Sequence, residues 1–269
     1  MTQQNSIASP EHFWLWPDQM PGPQVEDDFR PWLEFYRVDT DKPRGAVIVC
    51  PGGGYEMRAP HEGEPIARRF NEKGLHAFVA QYRVKPHPPV SAFLDVSRSI
   101  RLIRHHAAEW QVSPNQLAVC GFSAGGHLTG LLGVHFDAGR SAAEDPIERL
   151  SSRPDALILC YAWLSTKDLK PGDIPPMGND TPAEALKRAS VELNVKPDTP
   201  PAFIWHTRSD EEVPVEHSLL LAEALRQHNI SFELHVYASG RHGLGLANDN
   251  PHVASWLELS CQWLADMGW

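Results

Sequence analysis

The chain has no uninterrupted apolar stretch near the roughly 18 residues that a membrane-spanning helix needs, so no membrane partner is expected. It is also short of positive charge. Its 24 Lys and Arg stand against 34 Asp and Glu, a formal net charge of −10. A surface that neutralises phosphates needs the opposite balance, so nucleic acid is not an expected partner. Cysteine is scarce: Cys50, Cys120, Cys160 and Cys261 show no CxxC spacing, and three of them sit inside apolar runs. They are expected as reduced core residues. The opening MTQQNSIASP has neither a basic start nor an apolar run. No secretory signal is read there, and a cytoplasmic protein is the expectation. Internal repeats and low-complexity tracts are missing as well.

What is present suits a large α/β fold. The 269 residues are 42% hydrophobic and 22% charged, enough apolar material for a sizeable core and a length compatible with one or two domains. We expect one domain over residues 1–269. Prolines number 24, against a usual share of about 5%, and they cluster at Pro86–Pro89, Pro171–Pro176 and Pro197–Pro201. Between these breaks, short β-rich runs alternate with segments of helical period, the pattern of βαβ units and a mostly parallel sheet. The expected strands are Ala46–Cys50, His76–Tyr82, Leu117–Gly121, Ala156–Tyr161, Ala202–His206 and Phe232–Tyr237. Two earlier runs, Phe13–Trp16 and Leu33–Val38, suit an antiparallel edge, making about eight strands in all. Phe93, Val96, Ile100, Ile103, Ala107 and Trp110 advance by three or four and predict one amphipathic helix packed on the sheet. A C-terminal helix is expected to start at Asn250-Pro251, a helix-starting pair.

The chemistry is carried by Gly121-Phe122-Ser123-Ala124-Gly125-Gly126, which follows a strand and precedes a helical segment, His127–Val134. A serine on such a turn takes strained backbone angles, the glycines remove side chains that would collide, and the hydroxyl is presented above the sheet. The helix start aims free N–H groups at the same place, which makes the Ala124 amide a candidate donor to a developing oxyanion. Pro51-Gly52-Gly53-Gly54-Tyr55 directly follows the strand Ala46–Cys50. Its uncovered Gly53 and Gly54 amides are the other candidate donors.

A serine nucleophile needs a base, and the base needs a carboxylate to orient it. Fourteen histidines leave the base open by count alone. His242, in SGRHG after the strand Phe232–Tyr237, lies at the same sheet edge as Ser123. His127 is too near Ser123 on its own helix, His105 and His106 fall mid-helix, and His206 precedes the expected acid, although a supporting place behind the site is open to it. Asp210, in SDEEVP just past Ala202–His206, is the expected acid.

With PGGGY, HEGEP (61–65), QYRV (81–84), GFSAGGHL, HTRSDEEVP and GRHG, nearly the whole chain resembles the α/β-hydrolase superfamily. Within it the chain resembles the bacterial carbohydrate-esterase subgroup related to acetylxylan esterases and feruloyl-esterase-like (BD-FAE-like) proteins. That resemblance implies an α/β-hydrolase fold with helices on both sheet faces. It also implies the triad Ser123, Asp210 and His242 in the family's chain order, with the oxyanion hole formed by Gly53, Gly54 and Ala124. Pro51 stands where lipase-type loops carry a histidine. The implied activity is a serine esterase acting on short acyl, above all acetyl, esters of a small-molecule substrate such as an acetylated sugar or oligosaccharide. An arylformamidase or small amide or peptide hydrolase uses the same triad and stays open as an alternative, as does a non-catalytic binding protein of this fold.

No cofactor and no metal are expected. HEGE lacks the second histidine of a zinc-binding HExxH, and capping of the next helix is the expected use of Glu62 and Glu64. Asp95 is expected to make a structural hydrogen bond. Residues 163–200 are expected as a small cap insertion over the pocket that selects the substrate. Trp14, Trp16 and Trp32 are read mainly as core packing, with a sugar-stacking surface or a homodimer contact as other uses.

Overall fold

The β-rich runs assemble into one sheet in the computed structural model of the protein, which describes residues 9–172 and 180–269. Eight strands are found among them: β1 (Glu11–Trp14), β2 (Trp32–Tyr36), β3 (Arg44–Cys50), β4 (His76–Gln81), β5 (Val112–Phe122), β6 (Ala156–Cys160), β7 (Ala202–Thr207) and β8 (Phe232–Tyr237). Their order across the sheet is β1-β2-β4-β3-β5-β6-β7-β8. The first two strands join antiparallel, and every pairing from β4 to β8 is parallel. The central strands read as continuous apolar runs because they are covered on both faces.

The helices are α1 (Glu64–Glu72), α2 (Pro89–His105), α3 (Ala107–Trp110), α4 (Ser123–His135), α5 (Pro182–Ala189), α6 (Glu216–Gln227) and α7 (Pro251–Asp266). On one face Val47, Val49, Cys120, Ile158, Phe203 and Trp205 pack against α1 and α7. Alternate residues of the same strands turn the other way. Ile48 and Val119 meet α2 and α4, and Leu159 and Ile204 meet α4 and α6. Each large side chain buried this way stabilises the fold by about 1.5–3 kcal/mol. Cys50, Cys120 and Cys160 are buried and unpaired, in strands, as their apolar neighbours predict.

Three expectations need correction. The single amphipathic helix is two, α2 and α3, separated at His106, so His105 and His106 lie at a helix end. The helix after the glycine turn starts at Ser123 itself. Glycines that read as loop in sequence are accommodated because α4 is buried against the sheet and needs small residues there. Trp14 is 57% exposed on the edge strand, so it does not pack in the core. Trp16 is half-buried, and its indole N–H donates to Asp95 Oδ1 at 2.8 Å.

Asp95 also receives the Arg83 guanidinium at 2.7 Å, with both side chains essentially inaccessible, which is the structural role expected of it. Of the expected cap insertion, residues 173–179 lie outside the described residues. Among the described residues, no helix is long and apolar enough to cross a membrane.

Candidate active site

Parallel strands deliver their following loops to one edge of the sheet, and the chemistry-bearing residues sit there. The glycine loop follows β3, Ser123 follows β5, Asp210 follows β7 and His242 follows β8. Ser123 has φ +52°, the left-handed conformation that a side chain rarely adopts. The glycines around it are required by contact. A Cβ on Gly121 would lie 2.2 Å from the Gly125 carbonyl oxygen, and one on Gly125 would lie 2.1 Å from that of Cys50. The nucleophile turn is thereby pressed against the end of β3, which brings Gly52 next to Ser123.

The structure brings the three expected side chains into one chain of hydrogen bonds. His242 Nε2 lies 2.8 Å from Ser123 Oγ, and His242 Nδ1 lies 2.7 Å from Asp210 Oδ2. Asp210 Oδ1 accepts the Glu212 and Val213 amides at 3.0 and 2.9 Å. The carboxylate is thus fixed on both oxygens, and the Asp210 side chain is fully buried. Burial pushes the Asp210 carboxyl up, but hydrogen bonds from His206, His242 and the Val213 amide outweigh it and hold the group well below the usual carboxylate range. For His242 burial acts downward, and the bond and charge of Asp210, with the charges of Glu212 and Glu62, outweigh it, so the imidazole titrates above its ordinary value.

Among the described residues, the Gly53, Gly54 and Ala124 amides donate to no protein acceptor, whereas the Gly52 amide is taken by Glu62 Oε2 at 2.8 Å. Gly53 and Gly54 have φ of +121° and +63°, and turns at Glu56 and Met57 that close on the Gly53 carbonyl hold the loop. Where lipase-type loops use a histidine, Pro51 offers its carbonyl to the Tyr82 hydroxyl. The QYRV segment therefore braces this loop through Tyr82 and is itself tied to α2 through Arg83, which bonds Asp95 and the Ser91 carbonyl. Among the described residues no group of three His, Cys, Asp or Glu is arranged to hold a metal ion.

Several contributors are not visible in the sequence pattern. Glu62 does not cap α1, whose first turn has no side-chain cap; its carboxylate turns instead to Gly52 and to the Tyr161 hydroxyl, 2.6 Å away. The reason is burial: a carboxylate 2% exposed must find donors, and the nearest are on the site loops. His206, unlike Glu62, takes the supporting place that the sequence leaves open to it, with Nε2 3.4 Å from Asp210 Oδ2 while donating to the Val213 carbonyl at 2.9 Å. His127 accepts the Tyr55 hydroxyl at 2.9 Å on Nδ1 and donates through Nε2 to the Ala189 carbonyl at 2.8 Å. Burial pushes it down to about 4, so it is neutral at pH 7 and ties the nucleophile helix to α5. Trp163 lies edge-on to the same imidazole, 4.5 Å between centroids. Trp163 and Ala189, one from each half of the 163–200 segment, therefore reach the helix that carries Ser123.

Comparison with known proteins gives the family and the fold. The BD-FAE family model matches residues 33–155, and that of the prolyl oligopeptidase family matches residues 95–267. The crystal structure of an acetyl ester-xyloside bifunctional hydrolase from Caldicellulosiruptor lactoaceticus superposes with a TM-score of 0.92 at 40% identity, covering 98% of each chain. Among curated proteins, endo-1,4-beta-xylanase B of Butyrivibrio fibrisolvens is 37% identical over 241 residues, 87% of this chain and 38% of that protein. Acetylxylan esterase of Xylanibacter ruminicola is 30% identical over 237 residues, 85% of this chain and 45% of that protein. The chain thus spans less than half the length of these two curated relatives.

Proposed function

The chain belongs to the α/β-hydrolase superfamily, in its acetylxylan-esterase-like branch, and on that premise we propose that it is a serine esterase removing short acyl groups, acetyl foremost, from sugars or xylo-oligosaccharides. The observation that carries the reading is the continuous path Ser123 Oγ, His242, Asp210, at 2.8 and 2.7 Å, beside unengaged amides. Ser123 Oγ attacks the ester carbonyl as His242 Nε2 takes its proton. Asp210 holds Nδ1–H and stabilises the imidazolium. The Gly53, Gly54 and Ala124 amides receive the oxyanion. His242 then protonates the departing alcohol, and an acyl-serine remains. A water that gives its proton to Nε2 attacks this ester, and collapse releases the acid and restores Ser123.

The acetyl and sugar assignments draw support from two relatives, an acetylxylan esterase and an acetyl ester-xyloside hydrolase. The segment 163–200 is the proposed cap and substrate selector, since Trp163 and Ala189 contact His127 on the nucleophile helix.

The test is hydrolysis of p-nitrophenyl acetate, butyrate and octanoate by wild type and Ser123→Ala, with acetate release from acetylated xylo-oligosaccharides. Ser123-dependent rates that fall with chain length, together with released acetate, are expected. Comparable rates on octanoate and acetate would remove the short-acyl reading. The prolyl oligopeptidase match favours one further arm: activity confined to aminoacyl or N-formyl amides would make the protein an amide hydrolase with the same residues.

A further inference from the structure

The dipeptide His61-Glu62 closes a single turn of 3-10 helix, Pro60–Glu62, between the glycine loop and α1. Burying a carboxylate costs several kcal/mol unless it is compensated. Among the described residues no Lys or Arg lies within ion-pair distance of Glu62, the His61 ring at 3.7 Å being its nearest basic group. Its compensation comes from two neutral donors on opposite sides of the site. Oε2 accepts the Gly52 amide at 2.8 Å, next to the candidate oxyanion donors. Oε1 accepts the Tyr161 hydroxyl at 2.6 Å, and that hydroxyl in turn accepts the Gly245 amide at 2.8 Å, three residues past His242.

Two more contacts pin the same loop: His61 Nε2 lies 3.0 Å from the Gly243 carbonyl, and Trp256 Nε1 donates to that of Gly245 at 3.1 Å. Tyr161 is itself held in an uncommon conformation, φ +36°, with its ring edge-on to His242, 5.1 Å between centroids. Strain at a bulky buried residue persists only where the surroundings enforce it and is concentrated at functional sites. Burial and the Glu62 charge raise the Tyr161 hydroxyl well above its ordinary range, so it stays protonated and donates.

We propose that Glu62 is a positioning residue for His242: through Tyr161 it locks the loop carrying the base to the loop carrying the Gly53 and Gly54 amides, so that proton transfer and oxyanion stabilisation meet on one substrate carbonyl. The inference rests on the esterase reading. The groups facing His242 are Ser123 from α4, Tyr161 at the end of β6, Asp210 and Glu212 after β7, and Glu62. Arg241, beside it in the chain, turns its guanidinium onto the carbonyls of residues 242 and 243. Glu62 therefore also contributes negative charge where the imidazolium forms.

Glu62→Gln keeps one acceptor for Gly52 but turns an amide group toward the Tyr161 hydroxyl, which loses its acceptor. Tyr161→Phe breaks the link from the other end with no change of charge. Displacement of a reacting group by about 1 Å costs up to roughly 100-fold. In each variant kcat on p-nitrophenyl acetate should fall about 10- to 100-fold with KM within about threefold. The double variant should be little worse than the weaker single, because both break one chain. In Glu62→Gln alone, the acidic limb of kcat/KM should move to lower pH, since removing a negative charge lowers the pKa of the base. A merely structural role would instead give losses that follow thermal stability and recover on cooling, with the limb unmoved.

The wild type and Ser123→Ala are assayed alongside. A wild type without Ser123-dependent ester hydrolysis overturns the esterase reading and this inference with it. An active wild type with both folded variants at its kcat overturns this inference alone.

Discussion

Replacing Asp210 by Asn changes one atom, and the surroundings dictate how the new side chain must lie. Asp210 Oδ1 accepts two backbone amides, from Glu212 and Val213. An asparagine that turned its NH2 to that side would place donors against donors, so its oxygen stays there and its NH2 faces His242. His242 Nδ1, which donates to Asp210 Oδ2 at 2.7 Å, must then become an acceptor. The ring proton moves to Nε2, 2.8 Å from Ser123 Oγ, where it blocks deprotonation of the serine. A triad held in the wrong tautomer loses about 10⁴-fold in kcat, roughly 5 kcal/mol of transition-state stabilisation. KM should change little, because the substrate touches neither atom. The fold should persist, since both amide contacts on Oδ1 survive. Asp210→Ala should match the loss of activity but also leave two amides unsatisfied, at about 1–3 kcal/mol of stability each. The assay is steady-state hydrolysis of p-nitrophenyl acetate with melting curves on the same samples. An Asp210→Asn enzyme within tenfold of wild type would refute the tautomer argument.

Alanine at Gly125 puts a methyl 2.1 Å from the Cys50 carbonyl oxygen and 2.5 Å from that of Pro51, so backbone must move, at a cost of about 3 kcal/mol or more. Alanine at Gly74 meets nothing within 4 Å and only strains a φ of +81°, for about 1 kcal/mol. Denaturant titration of both variants should rank them in that order, and equal losses would argue against the close packing of the β3 and β5 loops. His76, His127 and His217 are each pushed down to about 4 by burial, whereas an unfolded histidine titrates near ~6.5. Between these values only the unfolded chain takes up the protons, so stability should fall as pH drops from about 6.5 to 4; a melting temperature that stays flat across that range would contradict their burial. The kcat/KM of the wild type should rise with pH through a midpoint above ~6.5, because His242 is raised and must be neutral to act; a midpoint below that value would be inconsistent with the Asp210 contact.

The parts of this site that were legible in sequence are those built by local rules. A glycine-flanked serine between a strand and a helix can hardly be anything but a strained turn, and the loops after β3, β7 and β8 follow from runs whose parallel order fixes their edge. Glu62 was not legible because its partners are remote: Tyr161 is 99 residues away, and within HEGEP a glutamate before a helix reads as a cap. The start of β5 at Val112 was hidden by Ser113-Pro114-Asn115-Gln116, a turn-like run of which Pro114 and Asn115 are exposed, and the break at His106 by an apolar stripe that runs on into α3. Trp14 misled because an edge strand has no neighbour to bury an outward side chain.

The most direct measurement is the mass of the protein after reaction with diethyl p-nitrophenyl phosphate, an ester mimic that traps the nucleophile, followed by peptide mapping. The account predicts one phosphoryl group per chain on the peptide containing Ser123, loss of esterase activity in the same proportion, and no labelling of Ser123→Ala. Labelling at another residue, or ester hydrolysis by Ser123→Ala near the wild-type rate, would contradict it.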